Sequence, residues 1–235
     1  MSIVLSIIFE SATIEGMPKH SILELAFNDV MSWVLRVAMV GNLIYVLYHG
    51  DYVFAMANLT AIFLSCAPMV IKRTYRISLP WEVDFLITLA LFLHVVLGEV
   101  LKFYDLYPFW DKFMHILGTA TIGILGFMAV YALHFTGKID LSLSFICLFT
   151  IIFSMAVGSL WEIGEFIIDQ ILGRNTQYSL YNTMWDLINN TISGAIVGVG
   201  GMFYIRYLES HSRARFHRTV REMLGMLRGK KREKH

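Results

Sequence analysis

The chain has 235 residues, 57% of them hydrophobic and only 16% charged, with a mean hydropathy of +0.61. That balance leaves too little charge to cover a soluble domain of this size, and it leaves no room for a second large domain beside a membrane-embedded one. The net charge of +1 says little, because the charges are unevenly placed.

Residues 1–28 are expected to form an N-terminal cytoplasmic or interfacial segment. "SIVLSIIF" is apolar but short, lacks a basic stretch before it and is followed by "ESATIEGMPKH", so no cleavable signal peptide is expected. A membrane span needs about 20 apolar residues at a rise of about 1.5 Å each. Six stretches meet that need, at 29–48, 52–71, 83–102, 112–134, 142–165 and 185–207. Turn and helix-breaking residues separate them in "HGD", "SLPWE", "YDLYPFWD", "HFTGKID" and "GRNTQYSLYN". The expected fold is all-α, a polytopic membrane helix bundle with six transmembrane helices over 29–207 and a basic cytoplasmic tail over 208–235. Cys66 and Cys147 sit inside apolar runs and read as packing residues, not as a disulfide or metal site.

Lysines and arginines set the orientation. The tail "HSRARFHRTVREMLGMLRGKKREKH" holds nine basic residues against two acidic ones. Lys72, Arg73 and Arg76 follow the second span and Lys138 follows the fourth, whereas the opposite side has only Lys102, Lys112 and Arg174. Both termini are therefore expected in the cytoplasm, with the chain crossing the plasma (inner) membrane. The tail is expected to rest on anionic lipid headgroups, and no nucleic-acid partner is expected. Arg36, inside the first span, is expected to reach out to the nearby cytoplasmic interface.

With that topology the polar residues of four spans meet at one level. Glu99 ends the third span, Asp111 and His115 open the fourth at i, i+4, and Glu162, Glu165 and Asp169 close the fifth. Asp186, Asn189 and Asn190 open the sixth, with Asp186 and Asn190 on one face. Tyr104, Tyr107, Phe109, Trp110, Trp161 and Trp185 flank them as an interfacial aromatic belt does. Small residues continue each polar stripe: Gly158 and Ser154 below Glu162, Gly118, Thr119 and Gly126 after His115, and Ser193, Gly194 and Gly198 after Asn190. In lipid such stripes mark close helix packing, so the acids are expected to face protein. Acids facing one space repel one another unless protons, a cation or basic groups lie between them. Asp169 is expected at the wet edge.

One histidine with several carboxylates and amide oxygens is an oxygen-rich ligand set. It suits Mg²⁺, Mn²⁺ or a carboxylate-rich Zn²⁺ site, with Asp111, His115, Glu162, Asp186 and Asn190 as metal ligands. His115, Asp111 and Glu165 are the candidate catalytic groups, His115 acting as a base that a neighbouring acid orients. The chain carries no nucleophile elbow, no H-E-x-x-H and no phosphate-binding loop. The substrate stays open.

Two blocks carry a family resemblance: "FWDKFMHILGTATIGILGF" and "GSLWEIGEFIIDQILGRNTQYSLYNTMWDLINNTISGAIVGV". With their W-E-x-x-E and W-D elements they resemble the YjdF-like inner-membrane proteins. Asp111-Lys112 followed by His115, with Asp186 and Asn190 later, also resembles the VanZ-like membrane proteins. From that second pattern the chain departs in the long gap between Arg174 and Asp186 and in the displaced glycine after Asn190. Both resemblances imply a multi-pass membrane protein, and neither names a reaction.

Three functions fit the pattern. The first is a metal-dependent envelope enzyme acting on a lipid headgroup or lipid-linked phosphate through an outward-facing carboxylate–histidine pocket. The second is a structural or interaction subunit whose acids hold a partner's basic groups. The third is a proton- or cation-coupled transporter, which would place its acids near the midplane. Here only His94 stands near mid-depth, and it reads as a packed, hydrogen-bonded residue.

Overall fold

A computed structural model describes the backbone of residues 19–75, 81–135, 137 and 139–232, and the side chains of 30–70, 82–135, 137 and 139–210. Residues 1–18, Lys72, Arg73, Arg76, Lys138 and most of the basic tail, whose charges set the expected orientation, lie outside the described side chains. Among the described residues there is no strand.

Six long helices and one short one follow the apolar runs. They are α1 (Lys19–Tyr48), α2 (Tyr52–Tyr75), α3 (Trp81–Phe92), α4 (Phe103–Leu106), α5 (Trp110–Phe135), α6 (Leu143–Leu172) and α7 (Leu180–Arg232). Between α3 and α4 the helix continues in π form over Leu93–Val100. Among the described residues, six segments are long and apolar enough to cross a membrane: Val30–Tyr48, Tyr52–Val70, Glu82–Val100, Trp110–Phe135, Leu143–Leu172 and Leu180–Ser210. The chain is an all-α membrane helix bundle.

The ends follow from local chemistry. Gly50 takes φ +74° to turn α1 into α2. Ser142 caps α6 by accepting from the Phe145 N–H at 3.2 Å, and Gly173 ends that helix in the left-handed region. Helix α7 begins at Leu180, earlier than the apolar run suggests, because Ser179 accepts from the Asn182 N–H at 3.2 Å. That early start brings Asn182 onto the same stripe as Asp186 and Asn190.

The helices form two groups of three. Helices α1, α2 and α3 pack together, α5, α6 and α7 pack together more extensively, and α3 against α5 joins the groups. Small residues set the closeness of the second group. A Cβ at Gly194 would lie 2.8 Å from Ser154, one at Gly198 2.8 Å from the Cys147 carbonyl, and one at Gly158 would collide with the Asn190 side chain. Large apolar side chains such as Val37, Phe63 and Ile196 face outward, as lipid requires.

Two expectations need correcting. Arg36 does not reach the interface: it is 4% exposed and donates to Asp84 Oδ1 at 2.7 Å, the Ser65 carbonyl at 2.6 Å and Thr88 Oγ1 at 3.0 Å. A buried carboxylate two helices away outcompetes solvent. Gly118 does not pack a helix; nothing lies within 4 Å of where its Cβ would be. It faces a cavity instead.

Candidate metal and acid–base site

Helices α5, α6 and α7 bring their polar ends together at the end of the bundle where α1 turns into α2. Arg174, in the α6–α7 connection, marks that level: its Nη2 lies 3.4 Å from Asp51 Oδ1, and its guanidinium lies 4.7 Å from the Phe54 ring centroid. Ser193 Oγ donates to the Ile116 carbonyl at 2.8 Å and locks α7 against α5.

His115 is the centre. Its Nδ1 lies 3.3 Å from Asn190 Oδ1, which also accepts from Thr119 Oγ1 at 2.6 Å. An amide oxygen there assigns the ring proton to Nδ1 and leaves the Nε2 lone pair facing the other way. Nε2 faces three carboxylates: Glu162 Oε1 at 3.3 Å, Asp111 Oδ1 at 3.7 Å and Asp186 Oδ2 at 4.0 Å. Ligands bound at about 2.0–2.1 Å in a tetrahedron stand roughly 3.3 Å apart, so this spacing is of the scale of a metal shell. Asp111, His115 and Asp186 form one group whose ligand atoms lie within 4.8 Å of one another, and His115, Glu162 and Glu165 form a second.

Three of the buried carboxylate oxygens lack a hydrogen-bond partner. Glu162 is 4% exposed and Asp186 1% exposed. Thr183 and Gln177 lie near Glu162, yet neither of its oxygens receives an aligned hydrogen bond, and Asp186 Oδ1 receives none. Asn182 Nδ2 bridges the two aspartates, donating to Asp111 Oδ2 at 2.7 Å and Asp186 Oδ2 at 2.6 Å. Lys112 Nζ is spent on Asn182 Oδ1 at 3.4 Å. Trp161 Nε1 donates to Glu165 Oε1 at 2.9 Å.

The negative field extends over the connecting segments. Burial, followed by the charges of Asp105 and Asp111, pushes the Tyr178 phenol up to about 12. Burial also lifts Tyr104 well above the ordinary tyrosine range, with Glu99 and Asp111 adding to it. Tyr104 hydroxyl lies 2.7 Å from His94 Nδ1. His94 stands in the π-helical segment, and its ring meets Trp161 edge-on at 5.2 Å. It is packed and hydrogen-bonded, as the sequence suggests.

Of the expected site residues, Asp111, His115, Glu162, Glu165 and Asp186 come together. Asn190 stands behind the ring, on the Nδ1 side, in the position from which a neighbour orients a ligating histidine. Asp169 binds the next turn instead, accepting from the Thr176 N–H at 2.8 Å and the Gln177 N–H at 3.1 Å. Glu99 belongs to neither group. Asn182 went unnoticed in the sequence because it lies within a stretch that reads as a loop; the i, i+4 series Asn182, Asp186, Asn190 was the available signal.

Beside the cluster opens a mostly apolar cavity of about 430 Å³ between α2, α3, α5 and α6. Asp111, His115 and Glu165 are among its lining residues.

No solved structure matches the chain. An uncharacterized protein of Thermotoga maritima is 32% identical over 124 residues, which cover 52% of this chain and 62% of the relative's own length. The family described as "Predicted membrane protein (DUF2238)" matches residues 30–207, from the first span into the last. The VanZ-like resemblance stays with the few residues quoted for it. Matched over well more than half of its length, the chain belongs to the DUF2238 membrane protein family, which is that of the YjdF-like proteins.

Proposed function

We propose that the protein is a divalent-cation-dependent membrane enzyme of the cell envelope, acting on a lipid headgroup or lipid-linked phosphate at the polar ends of α5, α6 and α7. The observation that carries this reading is the His115 ring. With Nδ1 held by Asn190, the Nε2 lone pair faces Glu162, Asp111 and Asp186 at 3.3, 3.7 and 4.0 Å. A lone pair set against buried anionic oxygens calls for positive charge between them, a proton or a metal ion. Mg²⁺, Mn²⁺ or Zn²⁺ would be held by His115 with Asp111 and Asp186, with Asn190 orienting the ring, and Glu162, which groups with His115 and Glu165, would move toward the ion to join them.

Such an ion would polarise a phosphoryl oxygen and make a bound water acidic. Glu165, lining the cavity and hydrogen-bonded by Trp161, stands beside it as the acid–base group. The excess of Lys and Arg in the tail and in the loops on its side supports the rest of the reading: both termini cytoplasmic, the plasma membrane as location, the tail on anionic headgroups and the site facing outward.

Metal analysis of protein purified without chelator tests the proposal, together with melting curves in Mg²⁺, Mn²⁺ and Zn²⁺. At least one ion is expected to copurify or to raise the melting temperature, and His115→Ala or Glu162→Ala to blunt the rise. If no ion does either, the cluster is a protonated carboxylate–histidine group, and the interaction-subunit reading replaces the enzyme.

A further inference from the structure

The cavity beside His115 changes character along its length. At the level of the polar helix ends it is lined by Asp111, His115, Glu165 and Tyr104; further along the spans its walls are mostly apolar, with Leu64, Ala67, Ile87 and Leu125 beside Thr121 and Ser154. From His115 to Leu125 is ten residues of α5, or about 15 Å of helix. All of that length lies within segments long and apolar enough to cross a membrane. A space with mostly apolar walls suits hydrocarbon better than water. Ser65 and Thr88, the chain neighbours of the lining residues Leu64 and Ile87, are both bonded to the buried Arg36, which braces α2 and α3 beside the cavity.

We propose that this cavity holds one hydrocarbon chain of a single-chain phosphate amphiphile, with the headgroup at the His115 cluster and the chain running inward toward Ala67 and Leu125. The inference rests on the proposed headgroup site and adds what that site is built to receive. The volume of about 430 Å³ is that of a one-ligand pocket. The carboxylate cluster with its cation is complementary to a phosphate, and the apolar walls are complementary to the chain attached to it. Gly118 sets the width, since nothing stands within 4 Å of its missing Cβ.

The test uses the full chain in phosphatidylcholine nanodiscs with hexadecyl phosphate carrying a photoreactive diazirine at the chain end. Crosslinks are mapped by mass spectrometry with and without Mn²⁺. Labelling is expected at Ala67 and Leu125, in excess of that at the lipid-facing Phe63 and Ile196. Gly118→Leu fills the channel and is expected to reduce labelling at Ala67 about tenfold, the worth of two lost methylene sites, with Phe63 labelling unchanged. Gly118→Ala keeps the channel open and retains the labelling, which separates blockage from misfolding. Labelling confined to Phe63, Ile196 and other outward residues overturns the proposal. Labelling at Ala67 that ignores Mn²⁺, His115→Ala and replacement of the phosphate by an alcohol leaves the chain site standing and removes the headgroup centre.

Discussion

The two helix groups each bury charge, and they treat it in opposite ways. In α1, α2 and α3, Arg36 and Asp84 are 4% and 6% exposed and meet at 2.7 Å, with Ser65 and Thr88 taking further donors. In α5, α6 and α7, one histidine faces Asp111, Glu162, Glu165 and Asp186, and several of their oxygens have no partner. The first group closes its account of charge with its own side chains. The second gathers carboxyl groups several of whose oxygens lack a partner, where an ionised acid costs about 2.5–3.5 kcal/mol at mid-helix on the insertion scale and less toward the helix ends. Under the proposed function, that open cluster is the place for a ligand.

Mutation should therefore have opposite signs in the two regions. Arg36→Leu strands Asp84 without its partner and is expected to cost about 3–5 kcal/mol in denaturation measurements. Adding Asp84→Leu should recover most of the loss, because the pair is removed as a unit. Glu162→Gln, measured in chelator, should instead raise stability by about 1 kcal/mol by removing one repelling charge. If Glu162→Gln costs as much as Arg36→Leu, Glu162 is already neutralised within the fold and the contrast fails.

Adding the cation should invert the second region's behaviour. At a concentration one hundred times its dissociation constant, a bound ion is expected to add about 2.7 kcal/mol. His115→Ala and Glu162→Gln should lose that gain, while Arg36 and Asp84 variants should keep it. A stabilisation that survives in His115→Ala would place the ion elsewhere.

Packing supplies a smaller contrast between two glycines. Gly158→Ala drives a methyl into Asn190, the group that holds the His115 ring, and is expected to cost about 1–3 kcal/mol and to weaken the response to metal. Gly118→Ala meets nothing and should be neutral or stabilising by up to about 1 kcal/mol from helix propensity alone. Equal costs at the two positions would mean that Gly118 does not face open space.

How much of this is legible in the sequence depends on the range of the interaction. The spans are, because about 20 apolar residues in a row declare themselves. The meeting of Asp111, His115, Glu162 and Asp186 is legible too, from helix ends at one level and small residues on the same faces. The Arg36–Asp84 pair is not. Helical period places a side chain on a face, but it does not say which face of α3 turns to α1. Snorkelling was the local alternative, and a partner 48 residues away in the chain won. Gly118 misled for a related reason: a small residue marks close approach in a packed stripe and open space beside a cavity, and only the neighbouring helix decides between them. Asn182 was hidden by the boundary of α7, which the cap at Ser179 sets ahead of the apolar run.

The smallest effect reads the open charge directly. Tyr178 lies in the connection before α7, outside the spans, with burial and the charges of Asp105 and Asp111 raising its phenol to about 12. An ordinary tyrosine ionises near 10. Between those values the unfolded chain has lost the proton and the folded chain keeps it, so folding stability from this group is complete below about pH 10 and falls as pH rises toward 12. Tyr178 is 45% exposed, so solvent screens part of the field and the loss is modest. Tyr178→Phe should remove a component near 12 from the tyrosinate absorbance and flatten the alkaline decline. A saturating divalent ion at the His115 cluster should move that titration back toward the ordinary range, because Asp111 then faces a cation, while the part due to burial remains. The same ion should leave it unmoved in His115→Ala. A Tyr178 titration that ignores the ion in the unaltered protein would mean that the field comes from Asp105 and Glu99, outside the cluster, and that the charge at His115 is balanced by protons.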